Sequence, residues 1–402
     1  MEFDKDLSAR QEARALCRQA EAASRQLRHM SQKQLDAIVR AMAEAFAAAA
    51  KPLAEHAVKE TGFGNIQDKT AKNLFACQKV HKEIESMQCV GLLGEDPARK
   101  LWQIGVPVGV IAAIVPSTNP TSTVCYKALI ALKSGNAIVF SPHPKALGCT
   151  LAAARILAAA AEKAGAPAGS IGCLSLASMD GTQELMKAPE VNLILATGGP
   201  GMVKAAYSSG KPAIGVGAGN GPAYIAPDAD IRAALTHILR SKTFDFGTVC
   251  ASEQSVIAEK SMEAALLQTA KDMGFHLLSE AEADTLGKLL FRPNGGLNPE
   301  VVGKSAQRLA QLAGIQVPKN TQILLARADQ VGPKFPYSME KLCPVLGLFV
   351  VESEEAALNK ALEVLSFEGS GHTFAIHTQD RSLVERFAAK IPVSRFLVNT
   401  PA

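Results

Sequence analysis

The rhythm of apolar positions changes partway along the chain. Residues 8–60, SARQEARALCRQAEAASRQLRHM and SQKQLDAIVRAMAEAFAAAAKPLAEHAVKETG, are rich in Ala, Leu, Glu, Lys and Arg, which predicts helices. Ser31 is placed to cap the second, and Gly62 follows its end. A third helical stretch covers about 68–85. The apolar stripe of the first helix is read as packing on its own domain rather than as a partner-binding or targeting face. From about Val106, short apolar runs alternate with helical windows. VGVIAAIVP, NAIVFSP, VNLILATGG and the two short runs in KPAIGVGAGNGPAYI are predicted strands. Helices are predicted over PTSTVCYKALIALKSG, KALGCTLAAARILAAAAEKAG, 201–209 and 230–244. Farther on, QSVIAEK, QILLAR, VLGLFVVES and HTFAIHT continue the strand series. Strands that are apolar throughout, with helices between them, indicate an α/β fold whose parallel sheet is covered on both faces. Ligands of such sheets bind in loops at the carboxyl ends of the strands.

At 402 residues the chain exceeds one simple core, so two domains are expected, 1–241 and 242–396, dividing near Ser241. Hydrophobic residues make up 48% and charged residues 20%, the balance of an ordinary globular protein. The net charge of +4 comes without a basic stripe, which argues against a nucleic-acid partner. The longest apolar run, around VPVGVIAAIVP, is broken by prolines and too short to span a bilayer. The charged start MEFDKDLSAR lacks the apolar core of a signal peptide. The eight cysteines form no CxxC pair and no zinc spacing with histidines, so no metal is expected and a reducing cytoplasm fits them.

Three local features bear on chemistry. GxGxxG, the usual dinucleotide fingerprint, is absent after VGVIAAIV, where PSTNPTS stands instead. ATGGPG lies between a strand and a helix, so Thr197, Gly198 and Gly199 form either a tight turn or a bare N–H cradle for a phosphate. GVGAGN, residues 215–220, precedes a strand and implies no such cradle. Asn119 precedes Pro120 and reads as a helix cap or as an amide aimed at a developing oxyanion. Cys250, in DFGTVCASEQ, follows a helix and a flexible Phe246-Gly247 and precedes Ser252 and Glu253. Most free cysteines are inert packing residues, and Cys125, Cys149 and Cys173 are read as such.

Together, VPSTNPTSTVCYKALIALKSGNAIVFSPHPKA, ATGGPGMVKAAYSSGKPAIGVGAGNGP, GTVCASEQSVI, EKLCPVL and GHTFAIHT resemble the CoA-acylating branch of the aldehyde dehydrogenase superfamily. That branch includes the aldehyde dehydrogenase half of bifunctional aldehyde–alcohol dehydrogenases and the aldehyde dehydrogenases of bacterial microcompartments. The resemblance covers nearly the whole chain, in order. It implies two Rossmann-like domains with the active site at their seam, the first for NAD and the second catalytic. It implies Cys250 as nucleophile, Asn119 as oxyanion donor, and Thr197, Gly198 and Gly199 as the turn against the cofactor pyrophosphate. Ser141, Pro142 and His143 match the strand end that meets the adenosine ribose. Gly215, Val216 and Gly217 match the nicotinamide side, Glu340 the glutamate that holds the nicotinamide ribose, and His372 an active-site histidine. His377 is read as structural, and Cys343 is assigned no chemistry.

Hydrolytic members of that superfamily carry a water-activating glutamate where this chain reads GVGAGN. The missing acid favours transfer of the acyl group to coenzyme A over hydrolysis. The expected reaction interconverts a short-chain aldehyde and its acyl-CoA, with NAD, or with NADP given His143 and Lys145. His372 is the expected base for the CoA thiol. The alternatives are a non-acylating or phosphorylating semialdehyde dehydrogenase, and a non-catalytic assembly subunit. A homo-oligomer in the cytoplasm is expected, with a bacterial microcompartment as an alternative place. No separate encapsulation peptide is expected at the N-terminus. The chain stops at FLVNTPA, where relatives continue. Residues 397–402 are therefore read as the start of a truncated C-terminal segment, which leaves assembly open.

Overall fold

The computed structural model describes residues 4–402; Met1–Phe3, the first residues of the charged start, lie outside the described residues. The chain forms two compact units. One comprises residues up to 62 with 66–217, the other 63–65 with 218–402.

The first unit opens on α1 (Lys5–Leu27), α2 (Gln32–Ala48), α3 (Ala50–Thr61) and α4 (Ile66–Leu74). Ser31 caps α2 in a reciprocal capping box with Gln34, and Gly62, at φ 70°, ends α3 in the left-handed region. The buried face of α1 is small: Ala9, Ala13, Cys17, Ala20, Ala23 and Leu27. These short side chains let the helix lie close on its own unit. A π-helical turn, Phe75–Val80, and α5 (His81–Glu85) follow α4. An antiparallel pair, β1 (Gly91–Asp96) and β2 (Leu101–Gly105), comes next. The five-stranded parallel sheet has the order β5-β4-β3-β6-β7. Its strands are β3 (Val110–Ile114), β4 (Ala137–Ser141), β5 (Ile171–Cys173), β6 (Val191–Thr197) and β7 (Ala213–Val216). Between them run α6 (Pro120–Lys133), α7 (Leu147–Lys163), α8 (Met179–Lys187) and α9 (Pro200–Tyr207). Every residue of β3 and β4 is buried, which accounts for their unbroken apolar text. Residues 144–163 are, among the described residues, the only helical stretch long and apolar enough to cross a membrane. The α7 part buries Cys149, Thr150, Ala153, Ala154, Leu157 and Ala161, and that burial accounts for the apolarity of one of its faces.

The second unit holds a seven-stranded parallel sheet of order β10-β11-β12-β9-β8-β13-β14. Its strands are β8 (Gly221–Ile225), β9 (Glu253–Glu259), β10 (Phe275–Leu277), β11 (Ile323–Arg327), β12 (Val345–Val351), β13 (Gly371–His377) and β14 (Val393–Val398). The helix α10 (Ile231–Thr243) joins β8 to β9. The division therefore falls after Gly217 rather than near Ser241, because β8 pairs with β9 and β13 and carries α10 into the second unit.

In the first sheet, chain order reverses between β3 and β6, the position where such folds open a ligand crevice. Lys127 of α6 is 2% exposed there and donates from Nζ to the carbonyls of Ile114 on β3 and Leu195 on β6, at 2.8 and 2.9 Å. Burial lowers its pKa from 10.5 to about 7. Above pH 7 the folded lysine is then neutral while the unfolded one still binds a proton, so stability rises with pH up to the ordinary lysine value. The wild-type advantage over Lys127→Met is expected to grow between pH 7 and 9.5, by at most about 1.4 kcal/mol per pH unit. Urea unfolding of both proteins at the two pH values checks this; a constant difference contradicts it.

Candidate active site

Parallel strands put their carboxyl ends on one edge, and the first unit gathers its candidate residues there. Asn119 follows β3, Ser141, Pro142 and His143 end or follow β4, Thr197 to Gly199 follow β6, and Gly215 to Gly217 end β7. The turn after β6 is open. A side chain at Gly199, Gly201 or Gly217 would meet nothing within 4 Å, and one at Gly198 would only touch Met202 at 3.6 Å. Gly199 caps α9 with no side chain on the first N–H groups. Open glycine backbone at a helix start fits a pyrophosphate, although the Gly198 N–H itself donates to the Val216 carbonyl at 3.2 Å and Pro200 carries none. Gly215 differs, since its N–H donates to Tyr207 Oη at 3.0 Å and a Cβ would stand 2.7 Å from Val203. Its glycine serves the packing of β7 on α9. The Ser141 hydroxyl is buried and shares a 2.8 Å hydrogen bond with Thr182, so it is engaged inside the unit. His143 accepts the Lys145 N–H on Nδ1 at 3.1 Å, capping the next turn.

Asn119 stands at the N-cap of α6, yet its side chain makes no capping bond. Its Oδ1 accepts from Lys72 Nζ at 2.7 Å, and its Nδ2 donates to Thr118 Oγ1 at 3.3 Å. The cap reading explains the backbone, where the Asn119 carbonyl accepts from Thr123 N at 3.1 Å, but not the amide.

The second unit inverts the edge. Gly219 precedes β8, Cys250 precedes β9, Glu340 precedes β12 and His372 lies at the start of β13. The four strands are neighbours, β12-β9-β8-β13, so these residues collect at the amino edge, not the carboxyl edge expected of such sheets. What delivers Cys250 is an unusual turn. Asp245, Phe246 and Gly247 all have positive φ, at 50°, 50° and 76°, a conformation that costs energy for the two non-glycine residues. The Asp245 carboxylate is fully buried and holds it, accepting from Asn65 N at 2.8 Å and Thr248 Oγ1 at 2.5 Å. Gly64 packs so closely that a Cβ would stand 1.8 Å from Asp245 Oδ1.

Half-buried Cys250 sits against the glycine segment, where a Cβ on Gly219 would come 1.8 Å from the Cys250 carbonyl oxygen. The Gly219 N–H donates to Glu340 Oε1 at 2.9 Å, and the Glu340 N–H donates to Glu368 Oε2 at 2.8 Å. Burial, with Glu368 adding to it against the Gly219 N–H, pushes the Glu340 carboxyl up to about 8. Lys242, fully buried, donates to Gln254 Oε1 at 2.9 Å, and the same oxygen accepts the Lys341 N–H at 3.1 Å. Burial lowers Lys242 to about 8 and Lys341 to about 7.

His372 shares a 2.9 Å hydrogen bond between Nδ1 and Thr373 Oγ1, while its buried Nε2 has no hydrogen-bond partner among the described residues. Burial first, then Arg395, lowers its pKa, so the ring is neutral and basic at pH 7. His377 stacks on His237 with centroids 5.8 Å apart, and burial takes it to about 4, an arrangement that suits packing. Burial likewise raises the thiols of Cys17, Cys77, Cys125, Cys149, Cys173 and Cys343, which makes them poor nucleophiles.

Lys72, Asp245 and Gly219 escaped the sequence reading. The run DFG offered the one available signal for Asp245, an acid two residues before a glycine at the end of a helix. Gly219→Ala is expected to displace the Cys250 turn and lower turnover about a hundredfold, while overpacking costs about 1–3 kcal/mol of stability. Steady-state kinetics beside a melting curve check this; an undiminished turnover contradicts it.

A model of the aldehyde dehydrogenase family matches residues 5–278. The bifunctional aldehyde-alcohol dehydrogenase AdhE of Escherichia coli K12 is 44% identical over 97% of this chain, which spans only 44% of that protein's length. The crystal structure of an acetylating aldehyde dehydrogenase from Geobacillus thermoglucosidasius superposes at a TM-score of 0.96. It is 46% identical over 100% of this chain and 88% of its own. A propionaldehyde dehydrogenase from Rhodopseudomonas palustris, solved with bound CoA and an acylated cysteine, has a TM-score of 0.86. It is 30% identical over 97% of this chain and 88% of its own.

Proposed function

Because the chain belongs to the aldehyde dehydrogenase family, we propose that it interconverts a short-chain aldehyde and its acyl-CoA with NAD⁺ and NADH, through a thioester on Cys250. The observation that carries this reading is the acid-free run around Gly219, which packs on Cys250. The carboxyl that does reach the segment, Glu340, is held on the Gly219 N–H and pushed up to about 8. A carboxyl mostly protonated at pH 7 is a poor base for activating water. A thioester formed on Cys250 therefore survives until a thiol takes the acyl group. The relatives named as acetylating, and the one with CoA and an acylated cysteine, support the same chemistry.

In the oxidative direction the Cys250 thiolate adds to the aldehyde carbonyl carbon. Asn119 Nδ2 and the Cys250 N–H are assigned to the oxyanion of the tetrahedral adduct. NAD⁺, when held at the first unit, would supply the acceptor for the hydride of that adduct. Thr197, Gly198 and Gly199 would form the turn against its pyrophosphate at the start of α9. Glu340 would take the nicotinamide ribose once its carboxyl leaves Gly219. His372 Nε2 takes the thiol proton of CoA, whose sulfur then attacks the thioester carbonyl and releases Cys250.

NADH formation should require CoA for continuous turnover, yield acyl-CoA and vanish in Cys250→Ala. Sustained turnover without CoA to a free acid or acyl phosphate would instead identify a hydrolytic or phosphorylating dehydrogenase. His372→Gln should leave the first burst of NADH intact and slow the CoA-dependent step about a hundredfold. Because the His372 pKa lies below 6.5, that step should be flat with pH above 6.5 in the wild type and fall only below it. Rapid-mixing kinetics across pH check both, and a CoA step untouched by His372→Gln removes the histidine from the mechanism.

A further inference from the structure

Asn119 is assigned the oxyanion, but an asparagine amide can face either way. Exchanging its oxygen and nitrogen barely changes its shape, so something must choose the donor side. The helix α4 makes that choice. Lys72 Nζ lies 2.7 Å from the Asn119 side-chain oxygen. An ammonium has three donors and no acceptor, so only the amide oxygen can face it, and the NH₂ group is turned away.

The rest of α4 holds the same turn. Lys69, 3% exposed, donates from Nζ to the Thr118 carbonyl at 2.8 Å. Asn73, 1% exposed, accepts from Thr121 Oγ1 at 2.7 Å and donates to the Ala50 carbonyl at 2.8 Å. Residues 69, 72 and 73 fall at i, i+3 and i+4, on one face of the helix. Three side chains from that face thus grip residues 118, 119 and 121 around the start of α6. Two of these contacts fix backbone or a neighbouring hydroxyl; only Lys72 touches the amide itself.

Resting on the proposed role of Asn119, we propose that Lys72 is a positioning residue for the oxyanion donor. It locks the Asn119 amide with its nitrogen on the reacting side and strengthens that nitrogen as a donor. The second effect follows from amide resonance. A cation hydrogen-bonded to the oxygen favours the form with negative oxygen and positive nitrogen, which enlarges the partial positive charge on the NH₂. An uncharged side chain of similar length supplies neither effect. A glutamine supplies no fixed polarity, because its own amide can donate or accept.

The test is a double-mutant cycle in the full chain, read as the single-turnover rate of NADH formation with saturating aldehyde and NAD⁺. Asn119→Ala alone should cost about 10²–10³-fold. Lys72→Met should lower the rate at least tenfold with aldehyde KM little changed, and Lys72→Arg, which also presents only donors, should restore most of the loss. In the Asn119→Ala background Lys72→Met should add less than about twofold, because its effect passes through the amide. If Lys72→Met lowers the melting temperature, Lys72→Gln takes its place in the cycle. A Lys72 effect that multiplies in full with Asn119→Ala, or an unaltered rate in both uncharged variants beside an impaired Asn119→Ala, overturns the positioning role and leaves the proposed function standing. An undiminished rate in Asn119→Ala overturns the oxyanion assignment and the Lys72 role together.

Discussion

What the second unit presents at its amino edge hangs on one buried carboxylate. Asp245 is fully buried at the start of a left-handed run of three residues, and its two oxygens take the Asn65 N–H and the Thr248 hydroxyl. A buried charge needs such partners to stay folded in. Here one partner directly follows the strained turn and the other comes from residues 63–65, so satisfying the carboxylate and fixing the turn are one event. This contact also explains why residues 63–65 belong to the second unit although their neighbours on either side belong to the first. Five residues beyond Asp245, the chain delivers Cys250 to the entrance of β9 against Gly219.

Around that entrance, burial pushes charged groups toward neutrality. Lys242, Lys341 and Glu340 each shift toward the uncharged form, with burial the largest cause. Gln254 serves as a neutral hub, its one oxygen accepting from the Lys242 ammonium and the Lys341 backbone. A neutral Glu340 is poorly suited to recruit water, and His372, whose buried Nε2 has no hydrogen-bond partner among the described residues, is the neutral base at this edge. In the first unit the corresponding problem is orientation rather than charge. Backbone N–H groups at the start of α9 and a single amide at the start of α6 are useful only if they point correctly, and fixed side chains such as Lys127 and Lys72 bear on that edge of the sheet.

The strands β3, β4, β8, β11 and β12 were legible because burial on both faces leaves nearly every residue apolar, while β6, β9 and β13 showed through their apolar cores LILA, VIA and FAI. The pair β1–β2 was not. Its Leu92, Leu101, Trp102 and Ile104 are exposed, so the segment never shows the one-sided burial that makes a strand stand out. The three-residue strands β5 and β10 are too short to impose a pattern. The division was expected near Ser241 rather than after Gly217 because GVGAGN reads as one glycine-rich turn, while the pairing of β8 with β9 and β13 depends on contacts far along the chain. Among site residues, Cys250, Asn119 and the glycine turn had motif text around them. Asp245 and Lys72 act through a fold-dependent neighbour, 180 residues away for Asp245 and 47 for Lys72, and no local pattern announces that.

The central claim is a covalent acyl group on Cys250 that waits for a thiol. Incubating the protein with acyl-CoA alone, quenching in acid and digesting with trypsin isolates the peptide from Thr243 to Lys260, which contains no other cysteine. The account predicts that mass spectrometry finds this peptide heavier by one acyl group, and that adding free CoA before the quench removes the mass. An unmodified Cys250 peptide, or the acyl group on another cysteine such as Cys343, would contradict it.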